Sequence, residues 1–137
     1  MSKLLIDTNI LVYEIDQDSE FFNQSRQILD HSESELVTSS KNLIEFLAVV
    51  TRSSGYDLKV NAALEILEEI IQNFEIIYPN QDSLAVFLEL SERYQPTGLK
   101  VHDFEIISIG LAAAIHDVAT FNTKDFKAVK EISLLDL

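Results

Sequence analysis

Short runs of β-forming residues separated by stretches of helical periodicity constrain this chain more than any other feature. The runs are "LLI" (residues 4–6), "ELVTS" (35–39), "FEIIYP" (74–79), "VATF" (118–121) and "ISLLDL" (132–137). Helical stretches are expected from Ile10 and over residues 20–30, 42–51, 59–73, 82–94 and 103–115. Strands separated by helices return in the same direction, because a crossover helix carries the chain back across the sheet. The expected class is therefore α/β, with a mainly parallel sheet. Residues 59–73 show the helical period clearly. Val60, Ala63, Leu64, Leu67 and Ile71 share one face, widened by Ile66 and Ile70, while Glu65, Glu68, Glu69 and Gln72 make the solvated side. The stretch "RSSGYD" (52–57) reads as a loop, and Pro96 with Gly98 ends the helix over 82–94. With no internal repeat, low-complexity tract or linker, residues 1–137 are expected to form a single domain.

Composition narrows the class of function. Apolar residues make up 47% of the 137 residues, enough for a full core. No apolar run is long enough to span a bilayer, and the start lacks the pattern of a signal peptide. The chain has no cysteine, which excludes disulfides and thiolate metal sites and makes the cytoplasm the expected compartment. There are 23 acidic and 10 basic residues, for a formal charge of −13. Such a chain does not simply coat a phosphate backbone, which requires lysine and arginine to displace counterions. High solubility, a basic protein partner, or an acidic site for divalent cations all remain compatible with it.

Four acidic residues fall at equivalent joints. Asp7 follows the first strand, Glu45 lies in the first turn of the helix after the second, Asp103 begins the helix over 103–115, and Asp125 follows the fourth strand. In an open parallel sheet such joints gather at the carboxyl edge, where ligands bind. Each residue alone has an ordinary structural reading. Asp7 in "DTNI" and Asp103 in "DFEI" suit helix N-caps, Glu45 stands at capping-box distance from Asn42, and Asp125 suits a surface turn. As a set they would repel one another and raise their pKa values, a conflict that Mg²⁺ or Mn²⁺ with hard oxygen ligands would remove. Such ions activate water and stabilise charge during phosphoryl transfer.

The segments "LLIDTNILVY", "SSKNLIEFLAVVTR", "LKVHDFEIISIGLAAA" and "ATFNTKDF" together resemble PIN-domain ribonucleases of the VapC-like kind, found as toxins in toxin–antitoxin pairs. The resemblance covers essentially the whole chain. It implies a three-layer α/β/α sandwich whose acidic pocket binds Mg²⁺ or Mn²⁺ and hydrolyses RNA. Asp7, Glu45 and Asp103 match the family's first three carboxylates. The family's fourth region often reads T-x-D-x-D-F; here Asn122 stands where an acid is common and Asp125 keeps the later one. The resemblance implies that Asp7 and Asp103 hold the main ion, that Glu45 helps through water, and that Asn122 offers at most an amide oxygen. Thr8, Asn9 and Thr120 are expected to fix these carboxylates. The implied partners are RNA, a separate antitoxin protein and a second copy of the chain.

The resemblance also draws attention to two departures. Where the family ends the buried helix in glycine, His116-Asp117 stands, and Asp117 is expected to take the left-handed turn. Glu14, Asp16, Asp18 and Glu20 read as a solvated loop face. His31, His102 and His116 form no spaced ligand set, and the four tyrosines form no evident stacking platform. Lys41, Arg52 and Lys124 lie near the site-bearing segments and read as surface cations. Two functions of different class remain: a metal-dependent endoribonuclease, and a PIN fold kept as a binding or scaffold module with little catalysis.

Overall fold

The computed structural model describes residues 2–137. Strands β1 (Lys3–Ile6), β2 (Glu35–Ser39), β3 (Glu75–Ile77), β4 (Asp117–Ala119) and β5 (Ser133–Leu134) form one sheet in the order β3-β2-β1-β4-β5. Every neighbouring pair is parallel. Helices α1 (Thr8–Glu14), α2 (Phe22–His31), α3 (Ser40–Thr51), α4 (Val60–Asn73), α5 (Gln81–Tyr94), α6 (Lys100–Ala112) and α7 (Thr123–Phe126) connect them.

Side-chain alternation along β1 divides the core. Leu4 and Ile6 pack on one face with Ile10, Leu11, Phe46, Val50 and Ala63, beneath α1, α3 and α4. Leu5 points to the other face and joins Val37, Ile106, Ile115 and Val118, against α6. A neighbouring cluster of Leu90, Phe104, Ile107, Phe126 and Val129 ties α5 to α6 and α7. Successive strand residues face opposite sides, so a strand that is apolar throughout must be covered twice. The result is the expected α/β/α sandwich. On the α6 side the approach is close: a Cβ at Gly110 would lie 2.9 Å from Leu5 Cδ2.

The chain runs outward from β1 through β2 to β3, then returns to lay β4 on the other side of β1. That reversal is a topological switch point, where connections leave in opposite directions and open a crevice at the carboxyl edge. Ile6 lies beside Ala119 in register, and Asp7 N–H donates to the Ala119 carbonyl at 3.0 Å. Asp7 and Thr120 are thereby brought side by side at the crevice.

Several expected boundaries move. The strands β3, β4 and β5 are shorter than the apolar runs that signal them, and α1 begins at Thr8 rather than Ile10. Helix α3 starts at Ser40, with Ser39 as N-cap and Asn42 completing a capping box. Glu45 therefore stands in the second turn and takes no part in capping. Helix α6 starts at Lys100 without a side-chain cap, so Asp103 lies in its first turn and is not its N-cap. The left-handed residue after α6 is Ala114, at φ 61°, and not Asp117, which lies in β4. Ile115 N–H reaches the Gly110 carbonyl at 2.9 Å and Ala114 N–H the Leu111 carbonyl at 2.9 Å, the Schellman pattern.

Candidate active site

Asp7 is the anchor of the crevice. It is 8% exposed and N-caps α1, with its Oδ1 accepting from Thr8 N–H at 2.8 Å. The Thr120 hydroxyl donates to Oδ2 at 2.8 Å, and Asn42 Nδ2 reaches Oδ1 at 3.4 Å. The cap reading of Asp7 holds, and the same geometry sets its carboxylate at the end of β1.

Thr120 organises the rest. Its oxygen also accepts from Asn9 Nδ2 at 3.2 Å and from Asn122 N–H at 3.0 Å. One donor and two acceptor positions exhaust a hydroxyl, so the direction of every bond is fixed. Asn9 Oδ1 in turn accepts from Phe121 N–H at 3.3 Å. Thr8 contributes its hydroxyl as acceptor for Asn42 Nδ2 at 2.9 Å. The expected supporting trio of Thr8, Asn9 and Thr120 is thus found around Asp7.

Burial pushes the Asp7 carboxyl above its ordinary range, opposed by the bonds from Thr120 and Thr8 and reinforced by the charge of Glu45. Asp103 is pushed up to about 7, by burial first, then by Asp7, Asp125 and Glu45, with Lys100 pulling the other way. Asp103 therefore senses the charge of the other three acids, and Asp7 that of Glu45. They do not close a cage: among the described residues no group of three His, Cys, Asp or Glu side chains is placed to hold an ion between them. Glu45 is exposed, and Asp125 Oδ2 accepts from Asn122 Nδ2 at 2.7 Å. The amide expected to offer an oxygen to a cation instead presents its nitrogen to a carboxylate.

Two contributors were not singled out from sequence. Asn42, 1% exposed in "SKNL", bonds Ser39, Asp7 and Thr8 at once. The signal was the Ser-x-x-Asn spacing, a capping box with an amide in place of the usual acid. Lys100 places Nζ 3.8 Å from Asp125 Oδ1. Its signal was the Lys-x-x-Asp spacing to Asp103 on one helix face. Lys41 pairs with Glu105 at 3.6 Å. Of the acidic run, Glu14 stands 3.7 Å from Arg26 and Asp16 accepts from the Tyr56 hydroxyl at 2.6 Å. His116 Nδ1 lies 3.3 Å from the Glu131 carbonyl, away from the carboxylates.

The larger cavities lie elsewhere. One of about 720 Å³ is lined by Leu4, Ile28, His31 and Asp117, another of about 770 Å³ by Leu11, Leu36, Ile66 and Phe74. The carboxylates Asp7, Glu45, Asp103 and Asp125 line neither of them. Their oxygen-only chemistry fits a hard divalent cation, and the surplus negative charge gives such an ion something to neutralise.

Solved structures share this architecture. VapBC2 from Rickettsia felis, bound to a DNA fragment from its promoter, is 22% identical with a TM-score of 0.75, covering 98% of both chains. DNA-bound VapBC from Salmonella typhimurium is 23% identical with a TM-score of 0.71, covering 99% of this chain and 98% of that one. VapC20 from Mycobacterium tuberculosis, a sarcin-ricin loop cleaving toxin, is 12% identical with a TM-score of 0.73, covering 92% of this chain and 95% of its own. No curated protein matches the chain by sequence. A PIN-domain family profile matches residues 4–132, and with the strand order, the switch-point crevice and the carboxylates on it, this chain belongs to the PIN-domain family.

Proposed function

We propose that the chain is a metal-dependent endoribonuclease acting as the toxin of a toxin–antitoxin pair, with Mg²⁺ or Mn²⁺ at the Asp7 crevice. One observation carries this reading: Asp103, partly buried at the crevice, is pushed up to about 7, by burial first and then by the charges of Asp7, Asp125 and Glu45. Uncompensated buried charge costs stability unless something binds it, and it gathers at functional sites. Asp7 and Asp103 would hold the ion, with Asp125 and the exposed Glu45 completing the set from the rim. When bound, the ion would supply an acidified water and a positive charge beside the phosphate.

The chain's own residues supply the remainder. Thr120, Thr8 and Asn42 fix both oxygens of Asp7, so that it needs no reorganisation when ligand arrives. Glu45, exposed at the rim, would orient a water and accept its proton. Lys100, held near Asp125, is free to turn to a phosphate oxygen once that acid is engaged. Asn122 holds Asp125 at a fixed distance from Thr120.

The toxin reading draws on the structural relatives, which include toxin–antitoxin complexes, and on VapC20, described as cleaving the sarcin-ricin loop. The antitoxin would be a separate protein with a basic group for the carboxylate crevice. A homodimer belongs to the same reading, supported by Leu84 and Leu88 exposed one turn apart on α5. Among the described residues no helix is long and apolar enough to cross a membrane, and the cytoplasm is the proposed compartment.

The second reading, a binding module with weak or no catalysis, is favoured by the open spacing of the acids and by Asn122 in place of an acid. Incubation with structured RNA and Mn²⁺ separates the two, run beside an Asp7→Asn variant and an EDTA control. Cleavage lost in both controls is expected. Absence of cleavage with any divalent ion would leave the binding-module reading.

A further inference from the structure

A second feature is joined to Asp7 through the chain, since Phe121 follows Thr120 and bonds Asn9. Tyr13, Phe21 and Phe121 come together from α1, from the α1–α2 connection and from the end of β4. Their ring centroids are 5.1 Å apart for Tyr13 and Phe21, 5.8 Å for Tyr13 and Phe121, and 4.6 Å for Phe21 and Phe121. All three are only partly buried. Phe21 and Phe121 line a cavity of about 530 Å³ together with Gln24, Thr123, Asp136 and the three leucines Leu134, Leu135 and Leu137. That volume suits a small ligand.

The position of this cavity is fixed by the same network that fixes Asp7. Phe121 follows Thr120, whose hydroxyl holds Asp7 at 2.8 Å, and Phe121 N–H is bonded to Asn9 at 3.3 Å. A ligand stacked on Phe121 is therefore held in a set relation to the carboxylate crevice. Its lining combines aromatic faces with an amide that donates and accepts, a hydroxyl and a carboxylate acceptor, the groups that read the edge of a base.

Charge points the same way. A chain of net charge −13 has few cations to spend on phosphates, and two near the crevice, Lys41 and Lys100, already stand 3.6 Å and 3.8 Å from acids. Affinity for RNA must then come largely from uncharged contacts, of which base stacking is the strongest.

We infer that the Phe21–Phe121 cavity is a nucleobase subsite that positions one unstacked RNA base next to the carboxylate crevice. The inference rests on the ribonuclease reading for its substrate class, and its test is independent of cleavage. Fluorescently labelled oligoribonucleotides of about six nucleotides, within the site sizes of single-strand binders, are titrated in EDTA and followed by anisotropy. The set contains the four homopolymers and an abasic ribose polymer.

Base-bearing chains are expected to bind at least about tenfold more tightly than the abasic chain, as stacking energies imply. Phe21→Leu keeps the apolar volume, loses the larger ring face, and is expected to erase most of that difference. Affinity should also depend weakly on salt, with a log–log slope smaller than about 2 in magnitude. Equal binding of the abasic chain, or an undiminished difference in a Phe21→Leu variant that melts with the wild type, overturns the proposal. Should Phe21→Leu melt early, Gln24→Ala, at an exposed position on α2, is read instead. It is expected to narrow the differences among the four bases, and unchanged differences overturn the proposal. A protein that shows this binding pattern yet never cleaves with Mn²⁺ loses the ribonuclease reading and keeps the subsite. Cleavage with no base dependence does the reverse.

Discussion

The Thr120 hydroxyl donates to Asp7 Oδ2 at 2.8 Å across a sequence separation of 113 residues. This bond joins the ends of β1 and β4 at the switch point, and it fixes Asp7, a carboxylate only 8% exposed.

Thr120→Val removes the hydroxyl while keeping the shape of the side chain. Asp7 then loses a buried donor, and Asn9 and Asn122 lose an acceptor. A loss of about 2 kcal/mol is expected, since a stranded buried group costs more than its bond contributed. Thr120→Ser should lose less than about 1 kcal/mol. Urea unfolding of the three proteins checks this; equal stability of Thr120→Val and wild type would contradict it.

Asp103 makes metal-free stability depend on pH. Its folded pKa is raised from 3.8 to about 7, so the folded chain holds the proton more tightly than the unfolded chain. The contribution is complete below the unfolded value and is lost as pH rises through about 7. In EDTA the melting temperature should fall between about pH 4 and about pH 7 and level off above, and Asp103→Asn should flatten that fall. Asp7 is raised as well and leaves a slope of the same sign in the variant.

Lys100 restrains Asp103, being the one cause that lowers its pKa. Lys100→Met should move the midpoint of that pH dependence upward. The ion pair with Asp125 itself is half exposed and contributes little to stability. A shifted midpoint with little change in melting temperature at low pH is the expected result.

Ala114 stands at φ 61° where a glycine would rest without strain. Ala114→Gly should stabilise the fold by about 1 kcal/mol, reduced by the added freedom of the unfolded chain. Thermal unfolding at one pH reads the sign; destabilisation would contradict it.

The architecture was legible because period-2 and period-3.6 patterns alternate without ambiguity. "ELVTS" matches β2 at both ends. Helix starts were less legible, since sequence marks caps and α6 has none: Leu99 makes no side-chain bond, and Asp103 drew the boundary three residues late. The left-handed turn fell on Ala114, a residue type that does not advertise it. Around the crevice, the joints pointed to Asp7, Glu45 and Asp103 as candidates, while Asn42 and Lys100 were not singled out. Their importance depends on what lies across the crevice, and no local spacing encodes that.

If these acids form one cation-binding centre, Mn²⁺ binds there with loss of a proton, and a calorimetric titration reads both. Run at about pH 6 and about pH 8 in buffers of different ionisation enthalpy, it counts the protons released. Saturable binding that strengthens with pH and releases a proton near pH 7 is expected, with both features lost in Asp103→Asn and binding abolished in Asp7→Asn. Absence of saturable binding, or binding by Asp103→Asn equal to wild type at both pH values, would contradict it.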